Sequence, residues 1–582
     1  MDPNWARKGI SDLHHLPEKI RKHESSRDHI NNCTTFALLG KVNIMSQLSS
    51  AYRENIILHN NKVEKNRHIL KRIISCVKFC SAFDLALRGH DESEFSENQG
   101  IFKELINFTA ELDNTLREHL RTATVFKGTS NIIQNEILDS MLQVCREEIS
   151  KQIEKADYLS IQCDETTDVS NYCQMVLILR HFYEGSIREH FWGFIRIKNK
   201  TATGLKTCIE NEIDPLVLKS PQKLIAQTYD GANVMSGVNS GVQAQIKSKY
   251  PNAHFIHCYA HQLNLIMQKS ASQSAKVRVF FNNLSAILAF FHTRLIVVIA
   301  VITRWNYNIR TVNFVHENRE KLIEVFEEIE SRCEKSITSN EASGIRRALE
   351  DPEFVLKLFH KILPQVDILY NQLQSKIKDS VQLQKDLIIF EKSISNIRNK
   401  TDSIKNSVES EFPTSKRRRT DDNFRSVIAK EVCDTITTQM KDRFSFRDKY
   451  SEFAKKFPLT VLNEVASFYP MLSKLRLKTE LEIIYSREDL KEIAGAMNLL
   501  SFILENNLNE TFIETSKILK IIVNSNDNSR SGTNTMLNDR LNALAMMSIN
   551  RNLVHQISNF DDKVMEKFIS MKDRRADFNF KK

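Results

Sequence analysis

Between Asp157 and Cys258 the apolar residues of this chain leave the helical spacing that dominates elsewhere and fall into short strand-like runs. Asp157–Cys163, Tyr172–Arg180 and His190–Ile197 read as strands, and Glu184-Gly185 is the turn signal between the last two. Thr203–Glu212 then reads as a helix, Leu224–Tyr229 as a strand, Gly241–Tyr250 as a helix, Ala253–Cys258 as a strand and His261–Ser270 as a helix. Three strands joined by short turns, followed by alternating helix and strand, predict an α/β layer with one sheet. No all-helical or all-β fold accommodates that order.

Two aspartates stand where strands of this layer run into polar loops. Asp164 lies in Cys163-Asp-Glu-Thr-Thr-Asp168, and Asp230 in Tyr229-Asp-Gly-Ala-Asn-Val-Met-Ser-Gly237. Either alone is ordinary for a turn or helix cap. Together, on adjacent rigid strands, they form the kind of carboxylate pair that holds Mg²⁺ for cutting and joining phosphodiesters. Gly231 and Gly237 flank the second and permit tight turns. Glu165 and Asp168 add negative charge beside the first.

Around this layer the chain is helical. Residues from about 40 to 155 repeat apolar positions at helical spacing, including Asn43–Leu48, Ile101–Leu120 and Ile137–Ala156. Beyond Trp305 the predicted helices are Leu322–Cys333, Phe354–Leu363, Val366–Ile377, Val381–Ile397 and Lys430–Phe446. Apolar helices return over 455–523, a polar stretch fills 524–535, and a final helix begins near Leu537. The run Leu295–Ile302 is far shorter than the ~20 residues that span a bilayer, so no membrane partner is expected. The first eight residues carry charges and no apolar core, unlike a signal peptide. The ten cysteines show no regular spacing, and a reduced interior setting suits them. A net charge of +10 over 582 residues permits a polyanionic partner without requiring one.

Two further clusters invite a ligand. His254, His257, Cys258 and His261 contain the ligand types of a tetrahedral zinc site, but no second pair stands at finger spacing. Lys416, Arg417, Arg418 and Arg419 form the densest positive run, inside the polar, Pro413-containing segment 403–423. An exposed run of this kind fits nuclear import, and any DNA contact it made would be with phosphates.

Taken in order, Cys163-Asp164-Glu-Thr-Thr-Asp, Tyr229-Asp230-Gly-Ala-Asn-Val-Met-Ser-Gly, His257-Cys258-Tyr-Ala-His261-Gln-Leu-Asn-Leu and Thr303-Arg304-Trp305 resemble the hAT transposase family, in its branch with a DUF4371-type domain that includes zinc finger MYM-type-like proteins. The likeness runs through nearly the whole chain. It implies a ribonuclease-H-like core split by a large all-α insertion, with an N-terminal helical region and a C-terminal helical tail. On that reading 1–35 is the remnant of a TTF-type zinc finger, and 36–156 is the helical part of the DUF4371-like region. The first part of the core is 157–305, the insertion is 306–500, and 501–582 holds the core's end and a truncated dimerisation region. The resemblance makes Asp164 and Asp230 the first two metal-binding acids, with Mg²⁺ as cofactor if the site is active. It makes Cys258, His261, Arg304 and Trp305 motif residues, and Leu541, Leu544, Met547 and Ile549 dimerisation residues.

Two departures temper this. The family's third acid is a Glu in a segment before the dimerisation motif, whereas Asn524–Thr535 holds no Glu and only Asp527 as a carboxylate. His23 and His29 resemble the tail of the zinc finger, but the upstream cysteines are missing, so Zn²⁺ is not expected there. The expectation is a nuclear, transposase-derived protein that binds DNA or protein partners, forms a weakened homodimer and does not cut DNA. The alternatives are a DNA transposase with a substitute third acid, and an interaction scaffold without DNA contact.

Overall fold

The computed structural model describes residues 13–37, 50–89, 91–92, 95–96, 98–167, 173–295, 305–332, 336–350, 353–374, 380–401, 419–444, 462–491, 493, 495–525 and 538–581. The protein is mixed α/β, mostly helical, with one five-stranded sheet. It divides into two compact units, residues 1–144 with 555–582, and residues 145–554. The division between the units falls at Val554/His555, within the region 501–582.

The larger unit is built on strands β1 (Leu159–Thr167), β2 (Cys173–Tyr183), β3 (Ser186–Arg196), β4 (Leu224–Tyr229) and β5 (His254–His257), in the order β3-β2-β1-β4-β5. β1, β2 and β3 pair antiparallel, while β4 runs parallel to β1 and β5 parallel to β4. The β2–β3 turn places both Glu184 and Gly185 at positive φ, as a two-residue hairpin with native twist requires. The parallel return from β3 to β4 needs a crossover, which the helix Ala202–Val217 supplies.

β3 is an edge strand, and its exposed backbone is covered by a helix. The Asn538–Ile549 helix and the residue after it carry two asparagines that act as a substitute strand. Asn550 accepts from the Phe191 N–H at 3.1 Å and donates to the Phe191 carbonyl at 2.8 Å. Asn542 does the same for Phe194, donating to its carbonyl at 3.1 Å. The approach depends on Gly193, where an added Cβ would lie 3.1 Å from the Asn542 Oδ1. The register slips between Leu177 and Ile178, so Trp192 is the extra residue of a bulge beside the same contact.

Across β2, the fully buried Arg180 pairs with Glu189 and donates to the Val523 carbonyl at 2.9 and 3.2 Å. This ties the Ile513–Asn524 helix to the sheet. The helices Trp305–Arg332, Ser336–Glu350, Glu353–Leu373, Ser380–Asn399 and Arg419–Arg443 share one apolar core with the Tyr259–Gln273 helix that follows β5. Leu263, Ile266, Phe326, Phe359, Ile394 and Ile436 lie in it.

In the smaller unit the helix Ser50–Ala82 is the central rod, packed by Ile101–Leu112, Asn114–Thr122 and Phe560–Ser570. Cys76 and Cys80 are buried in its core, where loss of solvation raises the Cys80 thiol to about 11.

Several boundaries differ from the sequence reading. The two helices expected over 354–377 are one, Glu353–Leu373, which runs through Pro364. The proline removes one backbone bond, but Phe359, Ile362, Leu363, Val366, Leu369 and Tyr370 bury a continuous apolar stripe that outweighs the loss. The helix expected from Lys430 starts at Arg419. Asn43–Leu48 and Ile296–Ile302 lie outside the described residues.

Candidate acidic site at the strand ends

The parallel register between β1 and β4 sets Gln162 opposite Thr228. Two residues further on, the same pleat faces bring Asp164 level with Asp230. Both line one small pocket, with a cavity volume of about 40 Å³, together with Gln162, Thr228, Asn264 and His261. The sheet forms its floor. The Tyr259–Gln273 helix brings Ala260, His261 and Asn264 to one side, and Tyr370 enters from the Glu353–Leu373 helix.

The lower wall is rigid. Gln162 and Thr228 are each 3% exposed, and Cys258 heads the Tyr259–Gln273 helix while its N–H donates to the Tyr229 carbonyl at 3.0 Å. Asp230 accepts from the Ala232 N–H at 3.3 Å, so the carboxylate also turns its own loop. A Cβ at Gly231 would come within 2.4 Å of the His257 ring, so only glycine lets this imidazole lie against the backbone beside Asp230. Burial lowers the His257 imidazole from 6.5 to about 4, with His261 and Arg443 adding to the effect and Asp230 opposing it. Its ring stacks on His261 at 5.9 Å between centroids.

Negative charge accumulates at the pocket. Loss of solvation and then the charges of Asp230 and Asp164 raise the Glu165 carboxyl, against the pull of Lys200. The oxygen ligands of Asp164, Asp230, Thr228 and Asn264 are of the hard type that suits a divalent cation such as Mg²⁺. Among the described residues that line the pocket, those two aspartates are the carboxylates, and no described group of three or more His, Cys, Asp or Glu is placed to hold a metal.

The zinc arrangement considered for His254, His257, Cys258 and His261 does not assemble. His254 turns to Phe468 and Tyr469, with ring centroids 5.3 and 5.0 Å away, because β5 carries its side chains alternately to opposite faces. His23 and His29 do meet: His29 Nδ1 lies 3.0 Å from His23 Nε2, and Cys33 Sγ lies 3.3 Å from His29 Nε2. These contacts form a chain through both nitrogens of His29 and do not converge on one point.

Leu541, Leu544 and Met547 are buried inside their own unit, at 2%, 7% and 0% exposure, and Ile549 at 45% is the exposed member of that set. Their helix packs on β3 of the same unit. Arg304, Lys416, Arg417, Arg418, Asp168 and Asp527 lie outside the described residues, while Trp305 and Arg419 each begin a helix. Gln162 and Thr228 were legible as the residues two before each aspartate on its strand. Tyr370 and Asn264 carried no such signal.

Residues 6–241 match the family described as DUF4371: ZMYM1/FAM200, RNase-like domain. The match includes both aspartates and ends between β4 and β5. The chain is also similar to the human protein named 52 kDa repressor of the inhibitor of the protein kinase, at 24% identity over 238 residues. That stretch is 39% of this chain and 31% of the length of the human protein, so the likeness spans about a third of that relative.

Proposed function

We propose that this chain is a transposase-derived protein of hAT type whose ribonuclease-H-like sheet is kept as a binding platform and no longer cuts DNA. The observation that carries the reading is the composition of the acidic pocket. Asp164 inside β1 and Asp230 just after β4 each lie two residues beyond the last parallel pair, Gln162–Thr228, and no third carboxylate joins them among the described lining residues. Two aspartates suffice to hold one Mg²⁺, which when bound would supply Lewis acidity to a phosphate oxygen. For a second ion, needed to position both the attacking and leaving oxygens, the described lining residues offer no further carboxylate. The chain's own residues then bind and orient without completing a reaction.

The site's role becomes recognition of phosphate-bearing or protein partners in the nucleus. The match to a human protein named as a repressor supports a regulatory setting. DNA contact would be electrostatic and without sequence preference, so binding should weaken steeply with salt. Purified full chain, DNA duplexes and Mg²⁺ or Mn²⁺ test both halves of the reading. Binding that falls with salt and no strand cleavage are expected. Cleavage lost in Asp164→Asn would overturn the inactive reading, and salt-insensitive or absent binding would leave the interaction scaffold.

One observation favours a second reading, an active transposase with a substitute acid. Glu165 is electrostatically coupled to both aspartates and adjoins one of them in sequence. Cleavage abolished by Glu165→Gln as well as by Asp164→Asn would select it.

A further inference from the structure

In the smaller unit, residues 572–581 follow the Phe560–Ser570 helix without forming helix or strand, and part of them runs along the Ser50–Ala82 helix. The contacts are of a particular kind. Helix side chains bond to the backbone of the segment: His59 Nε2 lies 3.1 Å from the Asn579 carbonyl, Asn66 donates to the Asp577 carbonyl at 2.8 Å, and Arg67 donates to the Phe578 carbonyl at 3.1 Å. Asn60 makes a two-way clasp with Lys581, donating to its carbonyl at 3.0 Å and accepting from its N–H at 2.8 Å. One side chain is anchored: Phe578 is 2% exposed, with its ring edge-on to Phe126 at 5.5 Å. Two others are read at the rim, Asp577 by Lys62 at 3.1 Å and Phe580 by the Arg67 guanidinium at 5.7 Å.

Main-chain bonds for hold, one buried aromatic for selection and rim charges for direction are how grooves recognise extended peptides. A segment that belonged only to the core would bury more of its side chains, yet Asp577, Asn579, Phe580 and Lys581 are all exposed. We infer that the Ser50–Ala82 helix, with Phe126 beside it, is a peptide-recognition surface, occupied in cis by residues 577–581. Its partner in trans is an extended protein segment carrying an acidic residue followed by Phe-x-Phe and a basic residue. The cis segment acts as a competitor that such a partner must displace, so affinity in trans depends on how firmly Phe578 is seated.

A fluorescein-labelled peptide of residues 572–582 tests this by anisotropy with the full chain. Phe578→Ala in the protein vacates the anchor, and the labelled peptide should bind that variant at least about tenfold more tightly than wild type. The same peptide carrying Phe578→Ala should bind at least about tenfold more weakly, as should the wild-type peptide to a protein that also carries Arg67→Ala. Equal binding to both proteins, or indifference to the peptide's phenylalanine, overturns the inference. If the Phe578→Ala protein does not fold, as judged by circular dichroism, the full chain cut at a protease site inserted after Met571 takes its place. Labelled peptide must then exchange for the cut segment, and failure to exchange overturns the inference equally.

Discussion

Replacing Asn550 with alanine should be among the most damaging single changes to the larger unit. Asn550 is 4% exposed, and its amide satisfies both the N–H and the carbonyl of Phe191 on the edge of the sheet. Alanine removes both partners, so two buried backbone groups lose their hydrogen bonds. Each costs about 1–3 kcal/mol, which gives about 2–6 kcal/mol for the pair. Asn542→Ala repeats the loss at Phe194 in a part-buried setting, and about 1–3 kcal/mol is expected. The two asparagines lie eight residues apart, about 12 Å along a helix, so their effects should add. Urea unfolding of the full chain followed by tryptophan fluorescence reads this locally. Trp192, 6% exposed, lies between Phe191 and Gly193 and donates to Glu212 at 2.7 Å. Asn550→Asp separates the two bonds, because it keeps the acceptor for the Phe191 N–H but sets a carboxylate against the Phe191 carbonyl. It should be at least as harmful as alanine. An Asn550→Ala protein within about 0.5 kcal/mol of wild type, the range of an ordinary surface change, would refute the substitute-strand argument.

Three other outcomes are expected. Glu189→Gln leaves the Arg180 guanidinium buried without its counter-charge and should cost about 3–5 kcal/mol by the same urea assay, more than any exposed ion pair in the molecule. His257, lowered from 6.5 to about 4, favours the folded state only while neutral; stability should fall as pH drops below 6.5 and level off near 4, and His257→Gln should remove that slope in melts taken across the window. Gly231→Ala should push the His257 ring away from Asp230, costing about 1–3 kcal/mol and raising the pH at which the remaining imidazole titrates by NMR, because the ring gains solvent.

The sheet was legible in the sequence because strands leave a local mark. Leu224–Tyr229 is a turn-bounded run that opens Leu-Ile-Ala, and the structure forms a wholly buried strand over those same residues. The same logic put Asp230 just past a strand, but β1 runs on to Thr167, so Asp164 lies within it and not at its end. Helices beyond Trp305 were legible in type but not in number or extent: Ser336–Glu350 was not read, and the two expected over 354–377 are one. Pro364 lies inside a helix because burial on both sides of it exceeds the cost of one lost bond, and no local rule reports that balance.

By itself, then, the sequence determined the period of each segment, the positions of the paired acids and the scarcity of a third. All of these are properties of neighbours along the chain. Only tertiary structure decided which side chains meet across it. It set Tyr370 of the Glu353–Leu373 helix into the wall of the acidic pocket, buried Leu541, Leu544 and Met547, and laid Asp577–Lys581 on the Ser50–Ala82 helix. Asn550 shows why the two levels separate. An asparagine just past a helix end reads locally as a cap, and becomes a substitute strand only because β3 lies 2.8 Å away with an unpaired edge.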